Sequence, residues 1–425
     1  MLIFITLLLC LFLYGINQDI FSPAKIFVIN LVVYHFDIFL NDYSLATQVT
    51  YVFYVFLAFL LGWLEFFYHR NISLKPCIDK RQYFIEKIKN QRVHGLIWFA
   101  SSLPLLAQLY MFHHFGGVQQ YLTALPGKVI TFQGLGFYLI AISLFQVINL
   151  VYFTYLIMRV DCKKRELFIY LLHLSLGIAL AVLSASRTGI LIYFVYVAII
   201  LHYFYRPIRI ITLMFLGVFL LLSAGVLEVT RYNFSIDAIP TALKNKNIGQ
   251  GAHFKYGLVP LELVYSRDIT ELHYGATYVS LVTNFIPRSI YPEKPDSGGV
   301  IFTDAYARDK IAKTTNLATG LLPEAFINFS FIGGVLFSIV AFILMFIPLL
   351  KYYTCMIRNK SSGFYSSLRF PAYMLICNGV GAILVVEFTN LFLFLIIKVV
   401  FIVLLVCVIR SVIGSVSPCA KVRSV

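Results

Sequence analysis

Three short stretches bring together residue types able to bind and activate a phosphate-linked substrate. Arg187 sits in Ser184-Ala185-Ser186-Arg187-Thr188-Gly189, a tight reversal between two apolar runs. A guanidinium beside a helix N-terminus offers paired hydrogen bonds and positive potential to a diphosphate. The competing reading is an arginine snorkelling to the interface while Ser and Thr cap the helix ends. Arg288, Tyr291, Glu293 and Lys294 lie among Pro287, Pro292 and Pro295. The prolines restrict the backbone, so little entropy is left to lose when a head group binds. Glu324 lies in Gly320-Leu321-Leu322-Pro323-Glu324-Ala325-Phe326-Ile327-Asn328-Phe329, an apolar approach to a hydrophobic run. Desolvation there suits a carboxyl group to general-base work. A carboxylate serving only a helix start is the alternative.

Other polar residues carry weaker signals. Arg231, Arg267, Arg308, Lys310 and Lys313 join Arg288 and Lys294 in one basic stretch, and Asp237, Asp268, Glu271, Asp296, Asp304 and Asp309 stand nearby to neutralise most of it. Lys398 is the one basic residue deep inside an apolar run, with Glu387 as a candidate partner. At 1.5 Å per residue it lies ~12 Å below the outer end of its helix, so direct pairing requires tilt. His113, His114, His253 and His273 have no metal-ligand spacing, and no outer Asp-x-Asp is present to bridge a nucleotide-like diphosphate through a divalent cation. No metal and no cofactor are expected.

The elements that must position these residues are membrane spans. Of 425 residues 60% are hydrophobic and 12% charged, against about 25% charged in a soluble domain. Mean hydropathy is +0.85. The composition fills roughly eleven or twelve helices of ~20 apolar residues. Apolar runs fall at about 2–17, 25–41, 50–68, 94–112, 134–157, 166–184, 189–205, 210–228, 330–350, 370–387 and 390–410. The expected fold is therefore an all-α, polytopic transmembrane helix bundle of about eleven spans, residues 1–425 forming a single integral membrane domain. Met1 to Ile16 has no basic start and no small-residue cleavage site, and reads as a retained span.

The net charge of +15 marks orientation and does not point to nucleic acid. With the N-terminus outside and the C-terminus cytoplasmic, 21 Lys and Arg fall in inner connections, against only Lys128 and Arg187 in the short outer ones. One connection, 229–329, is a large outer loop holding nine of the 19 acidic residues, ten Lys and Arg, and no cysteine. Loops of that length are usually functional. Within it Tyr278, Val279, Leu281, Val282, Phe285 and Ile286 recur at helical spacing. They predict an amphipathic helix over Ala276 to Ile286, on or dipping into the outer leaflet and ended by Pro287.

At these residues the chain resembles the Wzy-type oligosaccharide repeat-unit polymerases, which are GT-C-like membrane glycosyltransferases of the O-antigen and capsular polysaccharide type. The resemblance rests on the Ser184 to Gly189 turn, on Ile286-Pro287-Arg288-Ser289-Ile290-Tyr291-Pro292-Glu293-Lys294-Pro295, and on Glu324-Ala325-Phe326-Ile327-Asn328-Phe329 followed by Gly333-Gly334. It implies a metal-independent glycosyltransferase in the bacterial cytoplasmic (inner) membrane. Such an enzyme transfers a growing glycan to a new lipid-linked unit and releases undecaprenyl diphosphate. Its partners are the lipid bilayer, the undecaprenyl-diphosphate-linked oligosaccharide, and a flippase and chain-length regulator. Arg187, Arg288 and Glu324 then take the catalytic roles, with Glu262, Asp268 and His273 as rival bases. Arg267 and Lys294 assist the diphosphate, while Tyr274, Tyr278 and Tyr291 offer faces for sugars. The alternatives are an O-antigen ligase, which shares donor chemistry, a passive scaffold, and a flippase, for which repeated halves, broken helices and a polar midplane path are expected.

Overall fold

A computed structural model describes residues 2–16, 19–69, 91–125, 131–132, 134–157, 164–184, 187–204, 207–209, 212, 215, 217, 257–267, 271–283, 286, 290–308, 316–358 and 369–413. Among these residues regular structure is entirely helical. Fourteen α-helices follow in order: α1 (Leu2–Ile16), α2 (Pro23–Tyr34), α3 (Leu45–His69), α4 (Gln91–His114), α5 (Val118–Ala124), α6 (Gly136–Ile157), α7 (Lys164–Leu183), α8 (Arg187–Phe204), α9 (Val259–Ser266), α10 (Ala276–Thr283), α11 (Gly298–Tyr306), α12 (Leu321–Arg358), α13 (Arg369–Ala382) and α14 (Phe388–Ile413).

Six of them, α3, α4, α6, α7, α12 and α14, are long and apolar enough to cross a membrane, and α1, α2, α8 and α13 are shorter apolar helices. These ten coincide with ten of the expected spans; the eleventh, 210–228, lies almost entirely outside the described residues. Two boundaries shift for identifiable reasons. α2 stops at Tyr34 and a 3-10 turn follows over Phe36–Phe39. Asp37, in that turn, accepts hydrogen bonds from Tyr43 Oη (2.6 Å) and Leu258 N (2.9 Å), which take the chain off the helix path. α13 ends at Ala382 because Ile383 O accepts Leu321 N (2.9 Å), turning the backbone towards α12. Of the loop from 229 to 329, the described part contains three short helices, α9, α10 and α11, and the start of α12.

α6 is the most enclosed long helix, with Val147, Ile148, Val151, Tyr152 and Tyr155 buried along its length. Lipid tails compete equally for apolar side chains, so helices in a bilayer are joined by close packing and by polar contacts between them. One such contact crosses α4, α6 and α7. Asn149 Nδ2 donates to His173 Nδ1 (2.9 Å), leaving Nε2–H to donate to Ser101 Oγ (2.8 Å), which donates to Ile97 O (2.8 Å). Tyr170 Oη donates to Asn149 Oδ1 (3.3 Å). Every direction in this string is fixed, and it closes on a backbone carbonyl.

A second polar knot ties the link between α1 and α2 to four other helices. Fully buried Asp19 accepts Tyr203 Oη (2.6 Å) and Tyr353 Oη (2.5 Å) on Oδ2, and Phe21 N (2.9 Å) on Oδ1. His202 Nδ1 accepts Ile208 N (3.0 Å), which turns Nε2 towards Asp19 Oδ1 at 3.5 Å. Tyr373 Oη donates to Phe21 O (2.7 Å), and Ala24 N donates to Glu65 Oε2 (3.0 Å). The ends of α3, α8 and α12 and the start of α13 therefore meet around residues 19–24. Asp19→Ala orphans two buried hydroxyls and should lower stability by about 3 kcal/mol. Asp42→Ala, at an exposed position, should stay within about 0.5 kcal/mol. Thermal unfolding of the two variants in detergent checks the contrast.

Candidate functional site

The starts of α3, α8 and α12 lie opposite the Asp19 knot, because the ends of these helices are held by it. On α3, Thr47 and Glu65 are 18 residues apart, about 27 Å along a helix, close to a hydrocarbon thickness of about 30 Å. Arg187, which opens α8, and Glu324, in the first turn of α12, thus belong to the same end of the bundle. The Ser184 to Gly189 turn is secured from neighbouring elements: Tyr121 Oη donates to Leu183 O (2.9 Å) and Gln146 Nε2 donates to Gly189 O (3.1 Å). The side chain of Arg187 lies outside the described residues, as does all of Arg288.

Glu324 is fully buried and its two oxygens meet donors from two helices. Oε1 accepts Thr277 Oγ1 of α10 (3.1 Å) and Thr389 Oγ1 of α14 (3.4 Å), and Oε2 accepts Phe388 N (2.8 Å), the first amide of α14. A negative charge at that position satisfies an orphan N–H and complements the helix dipole. Glu387 does the equivalent for α11. Its carboxylate is bonded by Ser297 and by Gly299 N–H, and Asn390 Nδ2 donates to Oε2. Burial pushes the Glu387 carboxyl above its ordinary range, against the opposing pull of those hydrogen bonds. Gly298 and Gly299 are where they are because nothing larger fits. A Cβ on Gly298 would lie 2.6 Å from Glu324 Oε1, and one on Gly299 would overlap Glu387 Oε1.

α12 is two helices joined at Ser330, whose φ of 64° and ψ of −178° break the hydrogen-bond ladder. A non-glycine residue held there costs about 1–3 kcal/mol. The break frees the carbonyls of Ile327 and Asn328, which accept His273 N (3.0 Å) and Tyr274 N (3.1 Å). Asn328 extends the junction, taking Gly275 N on Oδ1 (2.9 Å) and donating from Nδ2 to Thr277 Oγ1 (2.8 Å). Gly334 lets the halves close, since a Cβ there would lie 2.6 Å from the Phe326 ring and 2.9 Å from the Ala325 carbonyl carbon. The Glu324-to-Gly334 stretch is thus a folded corner that carries α10 on its exposed carbonyls.

α10 covers Ala276–Thr283, shorter than the expected run to Ile286; Asn284 and Phe285 lie outside the described residues. Its polar stripe, Thr277, Ser280 and Thr283, is buried against the bundle. Val279 and Val282 are exposed, with Tyr274 (81%) and Ile290 (75%) beside this segment equally so. The helix is inverted relative to a soluble amphipathic helix, with apolar groups outward, as suits contact with lipid. Tyr278 packs its ring against Phe337 (4.8 Å), Phe329 (6.0 Å) and Phe388 (5.8 Å). It is half-buried beneath the surface, whereas Tyr291 is open to solvent.

The proline-framed stretch closes on itself: Lys294 Nζ donates to Ile286 O (3.1 Å). Arg267 caps the end of α9 and is half-buried among interacting groups. Of the acids, Asp304 is taken up by Arg308, and Asp268 lies outside the described residues. Glu262 is consumed in capping α3, accepting Ser44 Oγ (2.7 Å), Ser44 N (3.1 Å) and Thr47 Oγ1 (2.6 Å). Lys398 shares the inward face of α14 with buried Ile402, Leu405 and Ile409; Glu387, its candidate partner, is directed to α11. Sequence reasoning gave no role to Thr277, Thr389, Asn328 or the Gly298-Gly299 pair. Their only signals were a Thr-x-x-Ser-x-x-Thr spacing at 277–283 and a Ser-Gly-Gly helix start at 297–299.

Comparison with known protein families, curated proteins and solved structures finds no match to this chain. Glu262→Ala, which strips α3 of three hydrogen-bonded donors, should lower stability by about 1–2 kcal/mol. Glu262→Gln should recover about half of that loss, read from thermal unfolding in the same detergent.

Proposed function

We propose that the protein is a repeat-unit polymerase of the Wzy type. It joins oligosaccharides carried on undecaprenyl diphosphate at the outer face of a bacterial cytoplasmic membrane. The observation that carries this reading is the convergence at one end of the bundle. The Ser184 to Gly189 turn, the proline-framed stretch between α10 and α11, and the Glu324 corner are far apart in sequence and all belong to the end opposite Asp19. We take that end as the outer one, with the N-terminus outside and the C-terminus cytoplasmic, a reading supported by the Lys and Arg distribution.

In this reaction a hydroxyl of the incoming lipid-linked unit attacks the anomeric carbon of the growing chain. A C–O bond forms there, the bond to the diphosphate oxygen breaks, and undecaprenyl diphosphate departs with the bonding pair. Arg187 and Arg288, assisted by Lys294 and Arg267, bind the diphosphate and stabilise the charge gathering on it, an interaction stronger in the transition state than in the ground state. The hydroxyl proton passes to Glu324 or His273. Glu324 is enclosed by three donors, whereas His273 is half-buried and anchored through its backbone to Ile327. Tyr291 and Tyr278 border the stretch where the glycan lies. An O-antigen ligase uses the same donor chemistry with a different acceptor.

A flippase for the same lipid-linked glycans is the second reading, favoured by the helix break at Ser330 and the polar string through His173. Both features are closed: the freed carbonyls are occupied by His273 and Tyr274, and the string ends on Ile97 O. Purified protein in lipid vesicles, given synthetic undecaprenyl-diphosphate repeat units, should produce a ladder spaced by one unit. Transfer to a different lipid acceptor alone identifies a ligase, and translocation without new glycosidic bonds a flippase. Arg288→Ala should insert normally and lose at least ~100-fold in polymerisation, the size of effect seen when one charge-stabilising donor is removed. Wild-type polymer from this variant removes Arg288 from the mechanism. Glu324→Gln, which keeps an acceptor for the α14 cap, should retain polymerisation if His273 is the base and lose it if Glu324 is.

A further inference from the structure

Two buried carboxylates stand on either side of the stretch that carries Arg288, Tyr291 and Lys294. Glu324 accepts a hydrogen bond from Thr277 in α10, before the stretch, and Glu387 is bonded by Ser297 and Gly299 at the start of α11, immediately after it. Both are rooted in the same scaffold. Glu324 belongs to the corner of α12 and binds the first amide of α14, while Glu387 immediately precedes α14 and joins Asn390 within it. Thr389 adds to the first attachment by sharing its one hydroxyl proton between Glu324 Oε1 (3.4 Å) and Thr277 O (3.3 Å). Thr303 strengthens the second, accepting Leu317 N (2.8 Å) and donating to Gly299 O (2.6 Å).

We infer that Glu387 is a positioning residue, with Glu324 as its counterpart on α10: the two carboxylates hold α10 and the start of α11 on the start of α14 and so set the separation of the two elements that flank Tyr291 and Lys294. A proline-rich stretch has stiffness of its own, and each of its two flanks is joined to the bundle through one of these carboxylates. The inference deepens the polymerase reading and takes from it only what the stretch binds. Gly298-Gly299 belongs to the device, because the two carboxylates close over it. Glu387 therefore acts through the stretch and does not touch substrate.

The test is hydrogen–deuterium exchange on the full-length protein in lipid nanodiscs, followed by polymer kinetics on the same samples. In Glu387→Ala, amides of 284–306 should exchange at least ~10-fold faster, the factor corresponding to loss of a hydrogen bond to a charged group, with α3 and α6 unchanged. Glu387→Gln, which keeps one acceptor, should return most of the protection. Gly299→Ala, which pushes a methyl group into Glu387 Oε1, should reproduce the alanine effect without removing the carboxylate and so covers the case in which Glu387→Ala does not fold. In polymerisation the same variants should raise KM for the lipid-linked donor more than they lower kcat. Unchanged exchange in 284–306 for Glu387→Ala, or for Gly299→Ala where the former does not fold, overturns the inference. Faster exchange in a protein whose wild type makes no polymer supports the clamp and rejects the polymerase reading alone.

Discussion

A carboxylate placed among apolar helices is stable only where donors surround its oxygens, and meeting that demand at Glu324 organises one end of this bundle. The donors come from α10 and from the first amide of α14, so satisfying one side chain fixes the mutual position of three helices. An isolated charge in such a setting is strongly unfavourable, whereas a charge at a helix start with full hydrogen bonding is well tolerated. Glu387 repeats the solution for α11. Two helix starts thus lie in one small volume, each with its first amides bonded to a carboxyl oxygen.

The break at Ser330 follows the same accounting of backbone groups. Carbonyls exposed by a helix break inside a membrane protein must find donors within the chain. Here the residues before α10 supply them, so the strain at Ser330 is offset by the attachment of another segment. The Asp19 knot at the far end is built differently, from tyrosine hydroxyls and the backbone of a short link. Between these two polar ends the bundle is held mainly by packing, with the His173 string as its internal tie.

For a reaction on a lipid diphosphate this arrangement has a chemical consequence. On the polymerase reading proposed above, the lipid would hold its own phosphate at the membrane surface and leave the protein to place cations at that depth. A stretch anchored at both flanks, with Lys294 turned back on Ile286 O, presents its remaining polar groups without the entropy of an open loop. The inverted face of α10, apolar towards the outside, puts a lipid-compatible surface next to that stretch.

Hydrophobic runs of span length, the concentration of Lys and Arg in alternate connections, and the start of a helix near Ala276 were all legible from composition and periodicity, because they depend on neighbours in the chain. The ten spans that coincide with helices are of this kind. Glu262 and Glu387 illustrate the limit. Their spacing along the chain is compatible with a base, an ion-pair partner or a cap, and only the arrival of Ser44 and Thr47 from 215 or more residues away, or of Ser297 and Gly299 from 88 or more, selects the cap. The corner at Ser330 was hidden for the same reason: its carbonyls are released locally but satisfied by residues over fifty positions earlier. The sequence by itself determined which segments are apolar enough to enter a membrane, since transfer into lipid is a property of a segment alone. Only the tertiary structure decided which polar groups are spent on holding helices and which stay open to substrate, since a hydrogen bond requires two partners and the chain order names only one.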